Sequence, residues 1–292
     1  MSTSTTVLFD DLGPRGRSRV RAATIGGFLL VAGLAALVIW RLAVNGQLAG
    51  QRWAIIFDSR TGVPQRLWDG LLNTLEAAGY AMVLAVVLGA VLAVGRLSDH
   101  RLLRLPSLLI VEFFRAVPLV VLLLFLLLGA PTIGLDVGRL WTLVFGLTLY
   151  NMAVLSEIFR AGILSIDRGQ SEAAYALGMR KTTVMTTILV PQAVRRMLPA
   201  LISQLVVLLK DTALGFIIAY PELLQSASNL VNYYGSNYQL QLYAAAVVVY
   251  IVINMVLSFL ATRLERRLGR NARSPEQQPA DLLDGEPDQT RV

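Results

Sequence analysis

The sequence predicts an all-α membrane protein of about six transmembrane helices. Two features of composition support this. Of its 292 residues 55% are hydrophobic and only 15% are charged, against roughly a quarter charged in a soluble domain. Mean hydropathy is +0.61. The third observation is a set of six apolar runs, each long enough to cross a hydrocarbon core of about 30 Å at about 1.5 Å per helical residue.

The runs fall near 22–44, 67–94, 105–129, 140–164, 195–218 and 241–262. The first is too long for a signal-peptide core and reads as a retained anchor. In the second, Ala85, Gly89 and Ala93 recur every four residues, a spacing that lets helices approach closely in lipid. Basic residues then set the orientation. Arg15, Arg17, Arg19 and Arg21 precede the first run. Arg96, Arg101 and Arg104 follow the second, Arg168, Arg180 and Lys181 the fourth, and Arg263, Arg266, Arg267 and Arg270 the sixth. The alternate connections carry only Arg52, Arg60, Arg66 and Arg139, and 219–240 carries no basic residue. The positive-inside rule puts both termini in the cytoplasm.

Composition also excludes function classes. Without cysteine there is no disulfide or thiolate metal site, and one histidine, His100, is too few for a histidine-based centre. The net charge of +7 lies in short clusters between apolar runs, a topology pattern rather than a nucleic-acid face. The only lysines, Lys181 and Lys210, follow Arg180 and Leu209, so neither completes the Gly-Lys-[Ser/Thr] end of a P-loop. Any ATP chemistry must come from a partner. The polar aromatic segment Asn232, Tyr233, Tyr234, Ser236, Asn237 and Tyr238 reads either as an interfacial belt or as a docking surface on the outer side.

The longest inside loop carries Glu172-Ala173-Ala174, then Gly178, then Ile188-Leu189-Val190-Pro191. Ala173, Ala174 and Ala176 favour a short helix with small side chains. Gly178 can end that helix in a left-handed turn. Pro191 and Pro199 suit the start of the next helix, where a missing N–H costs little. This pattern resembles the EAA loop of binding-protein-dependent ABC importer permeases. Only Val190 departs from it, standing where Leu is usual.

Further stretches resemble the polar amino acid branch of that family, in the manner of actinobacterial glutamate permease subunits. They are 67–75, 111–119, Tyr150 with 156–163 and 169–170, and 207–212. The resemblance implies a type I importer permease fold and a non-catalytic subunit. Glu172, Ala173, Ala174, Gly178 and Pro191 would form the coupling site for an ABC ATPase dimer, with ATP and Mg bound on that partner. It further implies a second related permease subunit, as a heterodimer or a homodimer, and an extracytoplasmic amino-acid-binding protein. The chain then divides into a disordered cytoplasmic N-terminus (1–21), a first transmembrane helix with its outer loop (22–66), a permease core with the EAA loop at 166–191 (67–265), and a disordered cytoplasmic tail (266–292).

Ionisable residues within spans are costly and are functional candidates by default. Glu112 and Arg115 are three apart, as are Glu157 and Arg160, so each pair shares a helix face. One reading is a self-neutralising network that fixes helix packing. The other is a cargo path, because a zwitterion needs both signs of charge. In the second reading Asn151, Ser156, Glu157 and Arg160 line a cavity, with Glu112 and Arg115 beside them, and Lys210 and Asp211 form an outer gate. The expected function is ATP-driven import of a polar amino acid of the glutamate or glutamine type. The alternative is an ion-gradient-driven secondary amino acid transporter, which explains the spans and buried charges but leaves the Glu-Ala-Ala loop without a role.

Overall fold

The computed structural model describes residues 13–270, in which every regular element is helical. Helix α1 (Pro14–Val44) opens with a proline in its first turn, where its lack of an N–H is harmless. It therefore begins inside the segment expected to be disordered, and 14–21 is helical. None of its apolar window is buried, so its side chains face surroundings other than this chain. Three short turns lead to α2 (Val63–Arg96).

Helix α2 packs along α5 (Arg139–Leu164) through small residues. Ala77, Ala78, Ala81, Ala85 and Ala93 are buried. At Gly89 a Cβ would sit 3.0 Å from the Leu155 Cβ and the Met152 carbonyl. The four-residue spacing read in the sequence is thus a real close approach. Helix α5 is the central span: Leu143, Val144, Leu147 and Leu155 are all fully buried.

The third expected span, 105–129, is not one helix. It divides into α3 (Arg101–Ala116) and α4 (Leu119–Gly129), bent by 99°. The cause is Val117-Pro118. A proline disfavours helical geometry in the residue before it, and Val117 is extended at φ −82° and ψ 124°. Pro118 then caps α4 by accepting from the Leu122 N–H at 3.1 Å.

The loop after α5 holds α6 (Arg168–Ala176). Asp167 caps it through a 2.7 Å bond from the Gly169 N–H, and Gly178 ends it at φ +77°. A helical turn at Lys181–Thr183 and a π turn at Val184–Leu189 run straight into α7 (Val190–Asp211). Pro191 stands in the first turn of α7 as expected, whereas Pro199 lies in its interior. The helical path therefore starts well before residue 195.

The stretch 219–240, expected as an outer loop, contains α8 (Leu223–Tyr234). Leu223, Ala227 and Leu230 pack with Val63 and Leu67 of α2 and with Leu242 and Ala246 of α9 (Gln239–Arg270). Helix α9 carries helical structure past residue 265. The rest of the expected disordered ends, 1–12 and 271–292, lies outside the described residues.

Candidate functional site

Helix α6 buries one face only. Ala174 is buried, while Glu172, Ala173 and Ala176 are exposed, Tyr175 is 47% exposed and Leu177 83%. Tyr175 and the C-cap residue Leu177 are thus left uncovered by this chain at the end of α6. The Gly178 turn satisfies the last carbonyls of α6, with Gly178 N–H donating to Tyr175 at 2.9 Å and Met179 N–H to Ala174 at 3.2 Å. Pro191, far along the same loop, is exposed.

Two polar ties hold this loop to the bundle. Arg196 of α7 donates to the Ser165 carbonyl at the end of α5. Lys181 contacts the α2–α3 connection, with its Nζ 2.5 Å from Asp99 Oδ2 and 3.4 Å from the Leu97 carbonyl. The Lys181 hydrogen bond and charge hold the Asp99 carboxyl below the ordinary aspartate value.

At the same end of the bundle the expected charge pairs form. Arg160 Nη2 lies 2.5 Å from Glu157 Oε1 and its Nε donates to the same carboxylate at 3.2 Å. Arg115 Nη1 lies 3.5 Å from Glu112 Oε1. The residue that joins them is Arg96, the last of α2. It bonds Glu157 Oε2 and lies 3.8 Å from Glu112 Oε1, with its side chain only 9% exposed. One continuous chain of charge, Arg115–Glu112–Arg96–Glu157–Arg160, therefore crosses α3, α2 and α5. Sequence reasoning counted Arg96 only as a topology marker.

Two other expected lining residues are buried in the helix packing. Asn151 is fully buried, donating to the Leu147 carbonyl at 2.8 Å and accepting from Gln204 Nε2 at 2.8 Å. It ties α5 to α7 inside the packing. Ser156 is also fully buried, against Gly89 of α2, and its hydroxyl has no partner among the described residues. Neither lines the cavities that Lys210 and Asp211 face.

Lys210 and Asp211, expected together at an outer gate, face different cavities. Adjacent helical residues point about 100° apart. Lys210 faces a largely apolar cavity of about 700 Å³ between α7 and α9, shared with Tyr250, Asn254 and Ser258. Asp211 instead faces a cavity of about 340 Å³ at the α3–α4 break, lined by Arg115, Pro118, Tyr150 and Leu214. Arg115 and Asp211 thus present opposite charges to one space, and Asp211 has no ion-pair partner among the described residues.

A buried carboxylate that sequence reasoning missed lies at the far end. Glu222 is fully buried and caps α8. Its Oε2 accepts from the Leu224 N–H at 2.8 Å and the Tyr250 hydroxyl at 2.6 Å, and its Oε1 from the Gln225 N–H at 2.7 Å. The signal was available: Pro221-Glu222 precedes apolar residues at 223, 227 and 230, which is a helical start with a buried stripe.

Residues 85–270 match the family described as the binding-protein-dependent transport system inner membrane component. The chain is 42% identical over 232 residues to the glutamate transport system permease protein GluD of Corynebacterium glutamicum, covering 78% of this chain and 83% of that one. It is 36% identical to the probable glutamine ABC transporter permease protein GlnP of Bacillus subtilis, over 69% of this chain and 93% of that one. A solved structure described as an amino acid ABC transporter with histidines superposes with a TM-score of 0.67 at 30% identity, covering 72% of this chain and 97% of that chain. The bent span, the exposed α6 loop and these likenesses agree: the chain belongs to the inner membrane permease family of binding-protein-dependent transport systems and has the type I ABC importer permease fold.

Proposed function

We propose that the chain is the permease subunit of an importer for an acidic or amide amino acid, of the glutamate or glutamine type. It works with an ABC ATPase dimer, a second related permease, and an extracytoplasmic binding protein. ATP and Mg belong to the ATPase, and both termini face the cytoplasm. The observation that carries this reading is α6, a short loop helix that leaves Glu172, Ala173, Tyr175 and Ala176 exposed and ends on a glycine turn. A secondary transporter has no use for such a helix. The similarity to glutamate and glutamine permeases supports the choice of cargo.

Alternating access is the mechanism. The binding protein delivers the amino acid to the outer face, and closure of the ATPase dimer moves α6 and rocks the spans around the cargo. Arg115 and Asp211 would meet the carboxylate and ammonium of a zwitterion in the cavity at the α3–α4 break, whose 340 Å³ lies within the range of small-molecule sites. Nearer the cytoplasm, Arg96, Arg115 and Arg160 face Glu112 and Glu157, and Arg115 also faces Asp211, so the path offers both signs of charge, as a zwitterion needs. Arg160 is already engaged by Glu157, so Arg115 is the freer cation for a first contact. Asn151 and Ser156 support this path from within the packing.

Tagged protein purified gently from its native membrane tests the assignment. An ATPase and a second permease should co-purify, and Gly178→Pro should lose the ATPase, because proline cannot adopt the positive φ of this turn. A chain that purifies alone, or a variant that keeps its ATPase, would contradict it.

A further inference from the structure

The loop that carries α6 is joined to the charge chain through one side chain. Lys181 stands three residues beyond the Gly178 turn. Its ammonium lies between Asp99 Oδ2 and the carbonyl of Leu97, the residue that closes α2. That carbonyl belongs to the last turn of the helix, where orphan acceptors and the helix dipole favour a cation. The residue before it is Arg96, whose nearly buried guanidinium holds Glu157 of α5 and approaches Glu112 of α3. Among the described residues, no other side-chain hydrogen bond of 168–189 reaches α2 or α3. The backbone there packs on its own hairpin, with α6 against the π turn at Val184–Leu189.

We propose that Lys181 and Asp99 form a positioning link that carries displacement of the α6 loop to Arg96, and so shifts the charge chain across α2, α3 and α5. The proposal rests on the importer reading above. The covalent route from α6 to the bundle runs through the ends of α5 and α7, at Ser165 and Val190. It reaches α5 directly but leaves α2 to follow through packing alone. The Lys181 link gives α2 its own handle, one residue from the guanidinium that pairs with both glutamates. When the loop moves, the end of α2 moves with it. Arg96 can then exchange weight between Glu157 and Glu112, since Arg160 and Arg115 stand ready to keep each glutamate paired. Neither Lys181 nor Asp99 touches cargo, and both act through Arg96.

The test uses the whole complex and the absence of cysteine in this chain. Asp99→Cys with Lys181→Cys removes the ion pair. A short bis-methanethiosulfonate reagent then bridges the two thiols, and reductant removes the bridge. The reading is ATP hydrolysed per amino acid imported in proteoliposomes, with the cysteine-free chain carried through the same treatments. In the reduced double variant, ATP hydrolysis should persist while the ratio rises at least fivefold. Bridging should return the ratio to near the wild-type value. Lys181→Arg, which keeps the charge, should stay within twofold of wild type. A reduced variant with an unchanged ratio, or a bridge that halts import because the two residues must separate, would overturn the link. A wild-type complex that imports without ATP would overturn the importer reading itself, and the link with it.

Discussion

At the α8 end of the bundle, Glu222 is fully buried and held by two backbone N–H groups and the Tyr250 hydroxyl. At the α6 end, Glu157 is held by two arginines and stays part-exposed. Among the described residues the first arrangement has no substitute donors, because the backbone of α8 points at one place. The second is redundant: Arg96 reaches two glutamates, and each glutamate has a second arginine. A cap built from backbone fixes a joint. A chain of side-chain charges can re-pair while the helices that carry it shift. The α8 end therefore has the geometry of a fixed joint, and the α6 end has one that allows re-pairing.

Substitutions at the two ends should separate stability from transport. Glu222→Ala strands two helix N–H groups and a tyrosine hydroxyl in a buried site, and should cost about 3 kcal/mol in thermal or denaturant unfolding of the purified protein. Gly70→Val acts on the same joint. A Cβ there would sit 2.6 Å from Ser226 Oγ and 3.1 Å from the Leu223 Cα, so α8 must shift, at about 2 kcal/mol. Arg96→Gln should do the reverse. Both glutamates keep an arginine, so stability should change by about 1 kcal/mol, well under the cost of stranding a buried charge. ATP-driven import should nevertheless fall about tenfold, a change of about 1.4 kcal/mol in activation free energy. Equal losses of stability at both ends would break the comparison.

The smallest effect is expected from pH at Asp99. Its carboxyl is held below the ordinary value of 3.8 by Lys181. A depressed folded value means that the contribution is fully present above the unfolded value and is lost as pH falls through the folded one. Coupling between ATP hydrolysis and import should therefore be flat from neutral pH down to the ordinary carboxylate range and fail only below it. The pair is exposed, so raised salt should weaken it at any pH.

Much of this was legible in the sequence because lipid imposes simple rules. Long apolar runs gave the spans, and the three-residue spacing of Glu112 with Arg115 and Glu157 with Arg160 gave the pairs. The Glu-Ala-Ala-to-Gly178 spacing gave a short helix and its turn. What was missed has physical causes. Pro118 sits inside a run apolar enough on average to read as one span, and hydropathy concealed the 99° break that the proline imposes. Helix α8 is too short and too polar to register as a span, although its 223, 227 and 230 period marks a packed face. Arg96 served as a topology marker and so was not weighed as a pairing residue. Asn151 and Ser156 share a helix with Glu157, but their directions on that helix bury them. Lys210 and Asp211 are neighbours in sequence, and for that reason they point to different cavities.

Uptake by the purified complex in proteoliposomes tests the central claim most directly. With binding protein outside and ATP inside, labelled glutamate or glutamine should accumulate in the presence of a protonophore and stop when ATP is withheld. Accumulation without ATP that collapses when the ion gradient is dissipated would contradict the account.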